Sequence, residues 1–115
     1  MPAINLKVIG ELRALQGVSV VEIIDLFLQE AVAHLSVLHS SLAARDGRAL
    51  GRSAATLKGS CGNLGAQAMS RICVDLQAAG QSGKWDRASE LLKGLDEEFR
   101  AVRGELESEK ARGGG

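Results

Sequence analysis

Apolar residues recur along this chain at the spacing of an α-helix, and proline, the residue that most reliably breaks a helix, occurs only at Pro2. No segment combines strict apolar/polar alternation with β-branched enrichment, so a sheet has no support. The clearest stripe runs Ile24, Phe27, Leu28, Ala31, Leu35, Leu38 and Leu42. Ser19 can cap this helix, and Glu22 three residues later completes a capping-box pattern. The helix ends near Arg45.

The rest of the chain divides the same way. Residues 5–15 predict a short first helix with Leu6, Ile9, Leu12 and Leu15 on one side and Gly17 as its stop. Asp46 can cap a third helix reaching about Gly62, and Asn63 to Gly65 then form a tight corner. A fourth helix over about 66–79 carries Met69, Ile72, Cys73 and Leu76, and the Gly80-Gln81-Ser82-Gly83 segment ends it. Trp85 before a cap at Asp86 opens a fifth helix with Leu91, Leu92, Leu95, Phe99, Val102 and Leu106. Four substantial helices with short connections predict an all-α fold, an antiparallel up-down-up-down four-helix bundle with a short extra N-terminal helix lying across one end. The expected organisation is one helical domain over residues 1–112, followed by a flexible glycine tail over 113–115.

A chain of 115 residues suits a single domain, and 45% hydrophobic with 24% charged residues is an ordinary globular balance. Lysine plus arginine equals aspartate plus glutamate at 14 each, with no basic stripe interleaved with aromatics, which argues against a nucleic-acid partner and an anionic membrane surface. The longest apolar stretches are broken by Glu22, Asp25, Gln29 and Glu30, so no spanning segment is expected, and the domain is expected to be cytoplasmic. Cys61 and Cys73 have no metal-ligand spacing and read as buried thiols. No metal site is expected. An enzyme is not expected either, because no carboxylate pair or nucleophile with a base stands out.

The third helix is unusual on its outer side. Leu50, Ala54, Leu57, Cys61 and Leu64 cluster within roughly 40° of one line at about 100° per residue, which accounts for the core face. Gly51, Ala55, Gly59 and Gly62 fall roughly 100–180° from that line, where glutamate, lysine or arginine would be ordinary. Each helical glycine costs about 1 kcal/mol relative to alanine, so a bare strip implies that something must approach the backbone there. Lys58 stands at its edge, where a flexible ammonium can meet an anion.

The run Ala55-Thr56-Leu57-Lys58-Gly59-Ser60-Cys61-Gly62-Asn63-Leu64-Gly65-Ala66 resembles the motif of histidine-containing phosphotransfer (HPt) domains, in which His-x-Leu-Lys-Gly-Ser is followed shortly by Leu-Gly. The resemblance extends over the preceding helix and over the closing helix from Trp85 to Leu106. It implies a module of a bacterial multistep phosphorelay. A helix-borne histidine accepts a phosphoryl group from a receiver-domain aspartate and passes it on, and the receiver supplies the Mg²⁺ and the acidic cluster. The domain itself needs no cofactor. The partners implied are response-regulator receiver domains, with a hybrid sensor kinase in cis as a further possibility, and the domain is expected to be a monomer.

Alanine stands at Ala55, where the resemblance places the phosphoacceptor histidine. The implied consequence is a domain inert in phosphotransfer that still binds its receiver. Either a deliberate His→Ala replacement or a natural loss of the chemistry would give this residue, and the intact surroundings favour the former. By the same resemblance Lys58, Gly59 and Gln77 neighbour the phosphoryl group, and the bare outer face of the third helix puts Gly51, Thr56 and Gly62 on the docking surface. His34 and His39 lie at the margins of the second helix's stripe, without the Lys-Gly context, and read as ordinary boundary histidines. The charges Glu97, Glu98, Arg100, Arg103, Glu105 and Glu107 read as a solvated face. The alternative function is a phosphorylation-independent interaction or dimerisation module, since Gly51, Ala55 and Gly59 form a small-xxx-small pattern.

Overall fold

The computed structural model describes residues 3–15 and 19–113. Among them are the helices α1 (Leu6–Ala14), α2 (Val20–Ala44), α3 (Gly47–Asn63), α4 (Gln67–Gln81) and α5 (Trp85–Gly113), and no strand. The four long helices pack in a ring, α2 on α3, α3 on α4, α4 on α5 and α5 on α2, as an antiparallel up-down-up-down bundle requires. Leu38, Leu50, Leu57, Met69, Leu76, Leu95 and Leu106 are completely buried between them. Aliphatic side chains dominate this core, which lets the helices approach closely.

Short polar devices set the boundaries. The Ser19 hydroxyl accepts from the Glu22 N–H at 3.3 Å, and the Asp46 carboxylate accepts from the Ala49 N–H at 3.0 Å, so α2 and α3 start at capped ends. The exits of α2, α3 and α4 share one geometry. In each, a left-handed residue follows the last turn, and the next N–H returns to a carbonyl five residues back: Asp46 to Ser41, Ala66 to Cys61, and Lys84 to Ala79, all at 2.9 Å. Gly65 (φ +73°) and Gly83 (φ +67°) take that conformation without a Cβ penalty. Arg45 takes it as a non-glycine (φ 54°), and its guanidinium lies 6.0 Å from the Trp85 ring centroid.

Several boundaries differ from the sequence expectation. α4 continues through Gly80 to Gln81, because Gly80 and Gly47 are used for close approach: a Cβ on Gly47 would lie 2.6 Å from the Gly80 carbonyl oxygen, and one on Gly80 would lie 2.5 Å from Leu50 Cδ2. Trp85 is the first residue of α5, with the Ala88 N–H bonded to the Lys84 carbonyl, so Asp86 sits inside the first turn and is not its cap. Asn5 caps α1 through the Lys7 N–H. The expected stop at Gly17 lies outside the described residues. At the other terminus α5 stays helical through Gly113, the first residue of the expected tail, and the remainder of that tail lies outside the described residues.

α2 and α5, with 25 and 29 residues, outrun α3 and α4, with 17 and 15. At about 1.5 Å per residue the excess is on the order of 10–20 Å. The segment leading into α1, with Ile4, and α1 itself, with Ile9, cover the apolar surface at that end, both isoleucines being buried. Glu105 holds the entry to α1 by accepting from the N–H groups of Ala3 (2.6 Å) and Ile4 (3.2 Å), and Arg13 donates to the Glu109 carbonyl at 2.8 Å. Glu105 is therefore a tie between α5 and the N-terminal segment, unlike the solvated charge expected from its helix.

Candidate functional site

The centre of the outer face of α3 is open. Ala55, Thr56, Lys58, Gly59 and Gly62 are all exposed, and a Cβ on Gly59 or Gly62 would meet nothing within 4 Å. The Thr56 hydroxyl turns back to the Arg52 carbonyl at 3.0 Å, and that of Ser60 turns back to the Thr56 carbonyl at 3.4 Å, so neither projects outward from the face. Lys58 is held in place by its backbone. Its carbonyl accepts from Ser70 Oγ on α4 at 3.4 Å while its side chain makes no hydrogen bond or ion pair among the described residues.

Gly51 departs from the sequence expectation. It is buried, because α4 packs across it: a Cβ there would lie 3.6 Å from Gln77 Cγ. The helical wheel put it more than a quarter-turn from the core line, but the tight α3–α4 contact adds a second covered side to α3. The small-xxx-small stripe of Gly51, Ala55 and Gly59 is thus split between an internal contact and an open surface. Open glycines are also not confined to this face, since Gly10, Gly94 and Gly104 have equally free surroundings. The α3 surface combines this bareness with the exposed Lys58 and a neighbouring groove.

That groove, about 470 Å³, runs between α3 and α4 beside Ala55. Gly51 and Gly80 lie along it, Gln77 and Gln81 line the α4 side, and Arg48 and Arg52 line the α3 side. Gln77 is half-buried and reaches the groove, which brings it together with Ala55. Arg48 and Arg52 were not singled out in the sequence. Their signal is the spacing 48, 52, 55, 59, which keeps them on the line of Ala55 and Gly59 at helical periodicity. A larger cavity of about 540 Å³ lies at the α1 end, among Asn5, Gly65 and Glu105, away from this face, and its Glu105 carboxylate is already engaged.

Neither histidine belongs to this surface. His34 on α2 packs toward α3 with Nδ1 3.1 Å from Ser53 Oγ, and Ser53 donates to the His34 carbonyl at 3.3 Å, so the ring nitrogen is the donor of that pair. His39 meets the Asp96 carboxylate on α5 through Nε2 at 2.8 and 3.1 Å. Cys61 and Cys73 are both free and buried. The Cys61 thiol is pushed well above the ordinary thiol range, first by its hydrogen bond with Cys73 and then by burial, which keeps it protonated and inert. Among the described residues no group of three or more His, Cys, Asp or Glu could hold a metal ion, and no helix is long and apolar enough to cross a membrane.

The Hpt domain model matches residues 22–105, from the first turn of α2 to the later part of α5. The chain belongs to the Hpt domain family. The Hpt domain is also similar in structure to histidine-containing phosphotransfer protein B (HptB) from Pseudomonas aeruginosa PAO1, with 28% sequence identity over 96% of each chain and a TM-score of 0.91. No curated protein gives a significant match. The bundle and its short N-terminal helix are thus those of an Hpt fold, and membership of the family makes it a phosphotransfer module of phosphorelays, a class whose partners are receiver domains.

Proposed function

We propose that this Hpt domain binds receiver domains through the outer face of α3 without accepting phosphate, because Ala55 occupies the place of the phosphoacceptor histidine. The observation that carries this reading is the position of Ala55. It is exposed at the middle of α3, one turn from Gly59, beside a groove to which Gln77 contributes, and Lys58 lies three residues on with its ammonium unpaired among the described residues. An imidazole there would stand clear of the bundle with its approach open on the Gly59 side. A methyl group has no lone pair and cannot attack phosphorus.

In such an arrangement the receiver contributes the phosphorylated aspartate, the Mg²⁺ and the acidic cluster, and the Hpt side contributes position and charge. Lys58 supplies a cation at the edge of the transfer site, Gly59 keeps the approach path free, and Gln77 offers an amide at the groove wall. Thr56 and Gly62 belong to the surrounding contact surface. Gly51 acts indirectly, by letting α4 bring Gln77 close. The dimerisation alternative loses its stripe with the burial of Gly51, and the domain is taken as a monomer.

The test is to mix the protein with phosphorylated receiver domains of the same organism and follow both label and complex. The expected result is a complex with at least one receiver and no label on this chain. Stable phosphohistidine at His34 or His39 would refute the assignment of Ala55.

A further inference from the structure

The net charge of zero conceals a segregation. α3 carries Arg48, Arg52 and Lys58 and no acidic residue, whereas α2 carries Glu22, Asp25 and Glu30 and no lysine or arginine. Nearby Arg45 is accounted for by its Trp85 contact, but the side chains of Arg48 and Arg52 make no hydrogen bond or ion pair among the described residues. Both are exposed and both line the groove beside Ala55.

Their placement is unfavourable for the isolated helix. Arg48 is the second residue of α3, at the positive end of the helix, where the Asp46 cap already supplies a carboxylate and the first turn itself adds none. Arg52 follows at i+4, so two like charges face each other across one turn. Two exposed guanidinium groups one turn apart on an open face, beside the groove, suit a partner that brings carboxylates.

We propose that Arg48 and Arg52 select and steer the docking partner by pairing with carboxylates on its surface, so that the domain prefers receivers with an acidic rim around their phosphorylatable aspartate and disfavours those with a basic rim. The inference rests on the reading that a receiver docks on α3, and adds which receivers do so. Guanidinium forks suit this role because they bind carboxylates bidentately and stay charged at any physiological pH. The small residues between them and Gly59 leave room for a protein surface to come down onto the helix. A nucleic acid is the poorer match, since three cations on one helix without interleaved aromatics make a small electrostatic footprint.

Association kinetics at 50 and 500 mM NaCl, measured with isolated receiver domains of the same organism sorted by rim charge, would test this. The proteins compared are the unaltered chain, Arg48→Glu, Arg52→Glu, the double variant, Arg48→Gln with Arg52→Gln, the α5 control Arg100→Glu, and Gly59→Leu. For an acidic-rim receiver, the double reversal should lower the association rate constant about tenfold or more at 50 mM salt, with a smaller loss at 500 mM. Arg100→Glu should stay within about twofold, the basic-rim receivers should gain, and Arg48→Glu should melt no lower than the unaltered chain. The glutamine pair should show an intermediate loss, which keeps the test valid should a reversal unfold the domain. If Gly59→Leu abolishes binding while the arginine variants bind unchanged, the inference is wrong and the docking face stands. If no receiver binds at either salt, the docking reading falls and the inference with it. Tight binding of a duplex DNA probe at 150 mM salt, lost in the double variant, would overturn it in favour of a nucleic acid.

Discussion

Replacing Gly59 by leucine should move two measurements in opposite directions. A Cβ at Gly59 meets nothing within 4 Å, so the new side chain enters solvent and leaves the core line of Leu50, Leu57 and Cys61 untouched. Removing a mid-helix glycine stabilises by about 0.5–1 kcal/mol, and for a domain of this size that is roughly 2–6 °C in Tm. A docked receiver would have to retreat from the leucine or repack around it. Overpacking of a close-fitting contact costs about 1–3 kcal/mol, or roughly 5- to 150-fold in Kd. Thermal unfolding by circular dichroism and titration calorimetry with a bound receiver read the two quantities on the same sample. Gly104→Leu on α5, equally open, is the control: it should raise Tm similarly and leave Kd unchanged. A destabilised Gly59→Leu would mean the face is covered within the bundle, and undiminished binding would remove it from the interface.

Other expectations follow from the packing. Gly47→Ala should destabilise by about 1–3 kcal/mol in denaturant unfolding, because its Cβ would lie 2.6 Å from the Gly80 backbone oxygen, and α3 and α4 would have to separate. Glu105→Ala leaves the Ala3 and Ile4 N–H groups without their acceptor, so amide exchange should accelerate in residues 3–15 at a cost of about 1–3 kcal/mol, with the α3–α4 contact unchanged. Leu57→Ala, at a completely buried position, should cost about 2–5 kcal/mol in chemical denaturation. The Cys61 and Cys73 thiols should resist a thiol-reactive dye in the native protein and react on unfolding; fast native labelling would contradict their burial.

The helical architecture was legible because periodicity, caps and breakers agreed. Ser19 and Asp46 cap where their side chains can reach the third residue on, and Gly65 and Gly83 take the left-handed turns that glycine favours. The misreadings arose where tertiary contact overrode a local signal. Gly80 looks like a helix end but serves the approach of α3, and Asp86 looks like a cap but lies inside the first turn of α5. A helical wheel with one core direction puts Gly51 outside, whereas α3 has two covered sides, one toward the common core and one toward α4. The open centre of α3 could be anticipated from Ala55, Gly59 and Gly62. Its arginines could not be told from an ordinary solvated face until the structure showed them unpaired beside the groove.

If Ala55 stands where the transfer chemistry belongs, restoring an imidazole there is the most direct test. Ala55→His places a ring on an exposed position beside the groove that Gln77 lines, with Lys58 and Gly59 exposed three and four residues on. With a phosphorylated receiver that binds the unaltered chain, the variant should acquire an acid-labile, base-stable phosphoryl group located at residue 55 by mass spectrometry, while the unaltered chain acquires none. A folded Ala55→His protein that binds the same receiver and stays unlabelled, or that is labelled at His34 or His39 instead, would contradict the account.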